Sequence, residues 1–287
     1  MRIIVTGAAG MLGSVLIPVL EREHQVSGLT RKDCDLCDEH AVREIFTRQR
    51  PDAVIHLAAF TNVDACELEP EKAKAGNELT TFNVAQAARH VGAAMLYIST
   101  DYVFDGRLNR PYAEDDLPCP LSVYGRTKVQ GEKHVQEILD RHFIVRTSWL
   151  FGPNGKNFVS TILRLAGERP EIRVVNDQQG APTYTRHLAQ ALTQLLTTEE
   201  YGIFHLTGTG NCSWFEFAKK IVAARGLSQV QVIPISSAEF GRPAPRPAYS
   251  VLANRRATSL GIAPLPPWEK GLEDYLGELC GIVGGQV

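Results

Sequence analysis

Cysteine, methionine and tryptophan are scarce in this chain of 287 residues, at six, three and three. So few cysteines exclude a disulfide scaffold, in which cross-links stand in for a hydrophobic core. Cys34 and Cys37 form a lone C-x-x-C with no second pair to complete a zinc site. They read as incidental thiols, and no metal is expected. No apolar run approaches the ~18 residues of a membrane span. The opening MRIIVTGAAG has a short apolar run before a glycine turn, which reads as a first strand and not as an export signal. A cytoplasmic protein with reduced thiols is therefore expected. Neither sign of charge dominates: 30 Lys and Arg face 32 Asp and Glu, net −2, which points away from nucleic acid and membrane surfaces as partners.

What the sequence does contain is alternation. Strand-like runs at Arg2–Thr6, His24–Thr30, Ala53–Leu57 and Ala94–Ser99 are separated by helical spacing at Met11–Arg22, Glu39–Arg50 and Glu71–Val91. This predicts an α/β fold of Rossmann type, a doubly wound parallel sheet with helices on both faces. A Pro- and acid-rich loop at Gly106–Pro120 follows. A helix is then expected at Ser122–Leu139 and a strand at His142–Thr147. Beyond Gly152 the alternation loosens: helix Phe158–Ala166, strand Ile172–Val175, helix Thr185–Thr197, strand Ile203–Thr207, helix Ser213–Ala224. Three prolines between Phe240 and Tyr249 exclude regular structure there. The organisation expected is a dinucleotide-type domain over residues 1–150. A smaller substrate lobe over 151–287 sends segments back to the main sheet.

Gly7, Gly10 and Gly13 lie in TGAAGMLG, between the first strand and the first helix. Small residues there let the backbone approach a pyrophosphate, while Met11 and Leu12 present free N–H groups at a helix N-terminus. The end of the second strand selects between dinucleotides. An acid there would hold ribose hydroxyls, but this chain has Thr30-Arg31-Lys32. Arg31 suits a 2′-phosphate, so NADPH is expected, with NADH as the alternative. Asp35 and Leu36 are placed at the adenine edge. His56, on the third strand, reads as a satisfied core histidine.

Tyr124 and Lys128 are four apart in VYGRTK, which on a helix puts both on one face. A phenol near pKa ~10 is a poor acid or base at neutral pH, and an adjacent ammonium and an oxidised nicotinamide ring are both expected to lower it. Thr100, at the C-terminal end of the fourth strand, can share a substrate carbonyl with the tyrosine. Glycine turn, strand-end hydroxyl and Y-x-x-x-K occur in that order.

With these segments, and with PDAVIHLAAFTNVDACE, STDYVFDG, RTSWLFG, VVNDQQGAPT, FHLTGTG and RPAYSVL, the chain resembles the extended short-chain dehydrogenase/reductase superfamily. More closely it resembles the dTDP-4-dehydrorhamnose reductase family, along almost its whole length. The resemblance implies NAD(P)H-dependent reduction of the C4 ketone of dTDP-4-dehydro-L-rhamnose. Tyr124 would give the proton, Lys128 would position the nicotinamide ribose and Thr100 would polarise the carbonyl. It also implies that Ala58, Ala59 and Thr61 border the cofactor, and that Asp101, Tyr102 and Trp149 line the sugar pocket with Val63 and Asp64 at its rim. Sugar-nucleotide dehydratases that resemble this fold carry an acidic pair after the threonine. Here Asp101 is followed by Tyr102, which favours reduction over elimination.

A nucleotide-sugar substrate brings a diphosphate. Arg246 is the first choice to meet it, with Arg242 second; Asn157 and Gln179 are expected to read the base. Two other readings stay open on the residues: a reductase of a different dTDP-4-keto-6-deoxysugar, and a binding role like that of the regulatory subunit of methionine adenosyltransferase. A monomer or homodimer is expected.

Overall fold

In the computed structural model, which describes residues 1–281, the first half of the chain alternates as expected. The elements run β1 (Arg2–Thr6), α1 (Gly13–Leu20), β2 (Gln25–Leu29), α2 (Glu39–Gln49), β3 (Ala53–His56), α3 (Val63–Leu68) and α4 (Pro70–Ala73). A π-helical turn at Lys74–Leu79 follows, then α5 (Thr80–Val91), β4 (Ala94–Thr100), α6 (Val123–Ile138) and β5 (His142–Thr147). The second half holds β6 (Leu150–Phe151), α7 (Phe158–Glu168), β7 (Glu171–Val175), β8 (Gln179–Gly180), β9 (Thr183–Tyr184), α8 (Thr185–Leu196) and β10 (Gly202–His205). It ends with β11 (Cys212–Ser213), α9 (Trp214–Ala224), β12 (Gln231–Ile235), α10 (Ser237–Phe240), α11 (Arg255–Ser259) and α12 (Trp268–Leu279). The last six residues of the chain lie outside the description.

Six strands form one sheet in the order β10-β5-β4-β3-β1-β2, and every pairing within it is parallel. A sheet buried on both faces needs apolar side chains in both directions, and the strands supply them. Ile3 and Val5 of β1 face a core built with α1 and α8, while Ile4 between them faces α2, α5 and α6. The second half builds its own core, where Phe151, Val159, Phe217, Trp268 and Leu272 pack together, and two of its three two-stranded ladders are parallel. β10 leaves that half to extend the main sheet beside β5.

The chain steps from β1 to β2 on one side and then returns to place β3 on the other. A crevice at the strand C-termini results, which is where open α/β sheets bind ligands. Among the described residues no helix is long and apolar enough to cross a membrane.

The single long helix expected over Glu71–Val91 is interrupted by the π turn. There the wider turn carries Asn77 fully into the interior. Its side chain accepts from the Phe60 N–H at 2.7 Å and donates to the Phe60 carbonyl at 3.2 Å, clamping the segment that follows β3. The helix α12 and the strand β12 carried no sequence expectation. Both contribute to the second core, and α12 also pairs with α8 through Arg186–Glu278 and His187–Asp274.

Candidate active site

Gly7 leaves β1 in the left-handed region, φ +69°, where a side chain is strained. A Cβ there would lie 2.7 Å from the backbone nitrogen of Ala58. Two chain segments, one after β1 and one after β3, therefore touch at the topological switch point. Among the described residues the N–H groups of Met11 and Leu12 have no protein acceptor, which leaves both donors free at the start of α1. Leu12 offers only its backbone, because its side chain belongs to the core. Met11 is capped from the second half of the chain: a Cβ on Gly155 would fall 2.9 Å from Met11 Cβ, and Asn154 donates to Ser14 at 3.3 Å.

Beyond β2, the Asp33 carboxylate accepts from the Thr30 N–H and hydroxyl, closing a tight turn. Arg31 and Lys32 project from that turn, exposed and with no ion-pair partner among the described residues. Asp35 bends the chain by accepting from the Cys37 N–H at 2.9 Å, and Asn83 holds the Leu36 and Cys37 carbonyls. Ala58 and Ala59 are half-buried, Thr61 is exposed, and together they form the other wall of the crevice. His56 is fully buried between the hydroxyls of Thr6 and Thr81, and burial pushes its pKa down to about 3. It is a neutral core histidine.

The residues expected to act as acid and base sit where β4 meets α6. Ser122 caps α6 by accepting from the Gly125 N–H at 3.2 Å. Gly125 permits the first turn to press against the segment after β4, since a Cβ would lie 2.2 Å from the Tyr102 carbonyl oxygen. That contact sets Tyr124 beside Thr100. The Tyr102 and Tyr124 rings meet edge to face at 5.8 Å.

The phenol departs from expectation in one respect. Burial raises the Tyr124 pKa well above its usual value, and the Thr100 hydroxyl offsets this only in part. Lys128 does not lower it, because its ammonium is engaged elsewhere. It donates to the Ile98 carbonyl at 2.7 Å and lies 4.0 Å above the Tyr97 ring. Burial pushes Lys128 down to about 7, while Glu132, one helical turn further on, pulls it back up. The pair thus consists of a neutral phenol and a lysine poised near neutrality.

Beneath this pair lies a layer that the sequence reading did not include. Glu132 accepts from Arg146 Nε at 3.0 Å, from Arg146 Nη2 at 2.7 Å and from Ser99 Oγ at 2.5 Å. Its spacing of eight from Tyr124 and four from Lys128 on one helix face was a usable signal. Asp101 was expected to line the pocket, but it is 2% exposed. Its two oxygens accept from Thr100 at 3.0 Å and from Ser250 at 2.5 Å. Enclosure raises its pKa to about 7. It supports Thr100 from behind.

Other pocket residues are also placed differently. Asn157 caps α7, and its amide group donates to the Gly152 and Gly155 carbonyls while accepting from the Ser160 N–H. With both amide hydrogens taken, it has none to offer a base, which corrects the expectation. Gln179 is bound into β8 and accepts from Asn211 at 3.3 Å. Trp149 is partly buried with φ +47°, and its indole stacks on Trp214 at 3.4 Å. Val63 is half-buried at the start of α3. Arg246 is not a free cation here: Nη2 pairs with Asp64 at 3.0 Å and Nη1 donates to the Ala244 carbonyl at 2.9 Å.

Known proteins match this arrangement throughout. The family model described as the RmlD substrate binding domain matches residues 1–280. A dTDP-4-dehydrorhamnose reductase of Streptomyces griseus is 43% identical, over 100% of this chain and 96% of its own. A spore coat polysaccharide biosynthesis protein of Bacillus subtilis is 41% identical, over 96% of this chain and 97% of its own. The crystal structure of a dTDP-4-dehydrorhamnose reductase of Bacillus anthracis in complex with NADP superposes with a TM-score of 0.94 at 43% identity, covering 96% of this chain and 99% of the other. The glycine turn, the strand-end hydroxyl and the Tyr–Lys pair stand in a chain that belongs to the RmlD substrate-binding-domain family.

Proposed function

We propose that this protein is an NADPH-dependent reductase that converts dTDP-4-dehydro-L-rhamnose to dTDP-L-rhamnose. The carrying observation is the Tyr124 phenol, held neutral beside Thr100 at the mouth of the switch-point crevice. A reduction that turns a ketone into an alcohol consumes a proton, and a neutral phenol is the form that can give one.

The crevice fits a dinucleotide. Gly7 has no room for a Cβ, the Met11 and Leu12 amides are unused, and Arg31 and Lys32 stand unpaired where a 2′-phosphate would lie. Ala58, Ala59 and Thr61 would hold the ring end, and Lys128 the adjoining ribose. When bound, the reduced dinucleotide supplies the hydride for C4. Tyr124 then gives its proton to the C4 oxygen as negative charge develops there. Thr100 would donate to the same oxygen once its single hydroxyl proton turns away from Asp101, to which it donates in this structure.

The test is the Tyr124→Phe variant, assayed for NADPH oxidation with the keto-sugar generated in situ. kcat should fall by roughly 10²–10⁴-fold, with NADPH affinity retained, because only the transferable proton is removed. A variant that keeps a tenth or more of wild-type turnover rejects Tyr124 as the acid. NMR of the product reads the configuration at C4, and the epimeric alcohol would exclude the rhamnose product.

A further inference from the structure

Between Arg242 and Pro247 the sequence alternates, with prolines at 243, 245 and 247 and Arg242, Ala244 and Arg246 between them. Prolines give no N–H, so this segment cannot join a ladder. The chain bends at Pro243 and Ala244, and the bend turns Arg242, the Ala244 N–H and Arg246 toward one point. What they face is a single carboxylate. Arg242 Nη1 donates to Asp64 Oδ2 at 3.2 Å, the Ala244 N–H donates to Oδ1 at 3.3 Å, and Arg246 Nη2 pairs with Oδ1 at 3.0 Å.

Asp64 lies in the first turn of α3, just past the segment after β3 that walls the crevice. Its partners come from a part of the chain nearly two hundred residues later. The Asp64 and Arg246 side chains are both 17% exposed, so the pair is partly shielded from water, whereas Arg242 is 52% exposed. Arg246 also lies beside the Tyr102 phenol, whose ring abuts Tyr124. Two guanidinium groups against one carboxylate leave the cluster with one net positive charge. A diphosphate would find that charge on the exposed Arg242.

We infer that Asp64 is a positioning residue of the substrate site. Its carboxylate folds the R-P-A-P-R segment around itself and so holds Arg246 and Tyr102 as the wall beside Tyr124, with Arg242 presented to the diphosphate. This rests on the nucleotide-sugar reading above. Asp64 touches neither the reacting carbon nor its oxygen, so its loss acts on substrate binding and not on proton transfer.

The experiment compares wild type with Asp64→Asn and Asp64→Glu, using dTDP as a calorimetric probe and the keto-sugar for kinetics. In Asp64→Asn the dTDP Kd and the keto-sugar KM should both rise roughly tenfold, equivalent to about 1.4 kcal/mol. kcat should stay within about threefold of wild type, and NADPH affinity should not change. Asp64→Glu should recover part of the loss. Asp64→Asn combined with Arg246→Lys should cost no more than the worse single variant, because both act through one contact. Equal or tighter dTDP binding by a folded Asp64→Asn protein overturns the proposal and would mean that the carboxylate competes with the diphosphate. Wild-type protein that binds no dTDP overturns the nucleotide-sugar reading itself, and this inference with it.

Discussion

The Glu132→Gln variant probes the layer beneath the active site more sharply than any change within it. Arg146 and Glu132 are 1% and 3% exposed and share two hydrogen bonds, so each charge depends on the other. Glutamine keeps the shape and removes the charge. The guanidinium then stays buried with no counter-charge, and the new amide NH₂ points a donor at one of its nitrogens. Breaking one side of a buried pair costs about 3–5 kcal/mol. In a chain of this size that corresponds to a melting temperature lower by roughly 10 °C. Removing both charges behaves differently. Glu132→Gln with Arg146→Met leaves no orphaned guanidinium and should recover most of the lost stability.

The same substitution carries a functional signature. Glu132 holds the Lys128 pKa up against burial, so without it the ammonium should deprotonate below about 7. On the proposed mechanism the charged lysine holds the nicotinamide ribose, so activity should be lost as pH rises through its pKa. The alkaline limb of the kcat/KM profile should therefore move to lower pH in Glu132→Gln. In the double variant it should remain displaced from wild type although stability returns. Calorimetry at neutral pH and a pH–rate profile decide the matter. A melting temperature within about 2 °C of wild type, or a double variant as unstable as the single, refutes the buried-pair argument. An unmoved alkaline limb refutes the link to Lys128.

Two further outcomes follow from particular groups. Arg31→Ala should raise the apparent KM for NADPH much more than that for NADH, because Arg31, exposed and without an ion-pair partner among the described residues, is proposed to meet the 2′-phosphate; equal changes in steady-state kinetics remove that role. Asp101 has its pKa raised from 3.8 to about 7 by burial. The folded chain therefore holds a proton that the unfolded chain releases in that window. The stability this confers is complete below 3.8 and lost as pH rises to about 7. Relative to Asp101→Asn, which cannot ionise, wild type should lose melting temperature across this range and level off above it. A pH-independent difference between the two proteins counts against the raised pKa.

The main sheet was legible because its signals are local. Ile3, Ile4 and Val5 state both faces of β1 in three consecutive residues, and the glycine turn follows at once. Tyr124 and Lys128 were legible for the same reason, since helix periodicity alone aligns them. The π turn was not legible, because Asn77 is drawn inward by the backbone of Phe60, 17 residues away, and no helix pattern encodes that partner. The burial that raises the Tyr124 pKa is not legible in the spacing of the sequence, which says only that a lysine is near. It does not say that the Ile98 carbonyl and the Tyr97 ring have already claimed its ammonium.

The residues around the pocket were harder still, and one physical reason covers them. Asp101 depends on Ser250, Arg242 and Arg246 on Asp64, and Met11 on the segment ending at Asn157. Each of these contacts joins the first part of the chain to a segment more than a hundred residues later. A sequence gives residue types at such positions but not which group consumes their hydrogen-bonding capacity. Asn157 shows the consequence: an amide suited to reading a base is spent on a helix cap. Tyr124 escapes this uncertainty because it lies on α6, which packs directly against β4. The chemistry was therefore readable from sequence, whereas the choice of sugar depends on contacts that only the folded chain brings together.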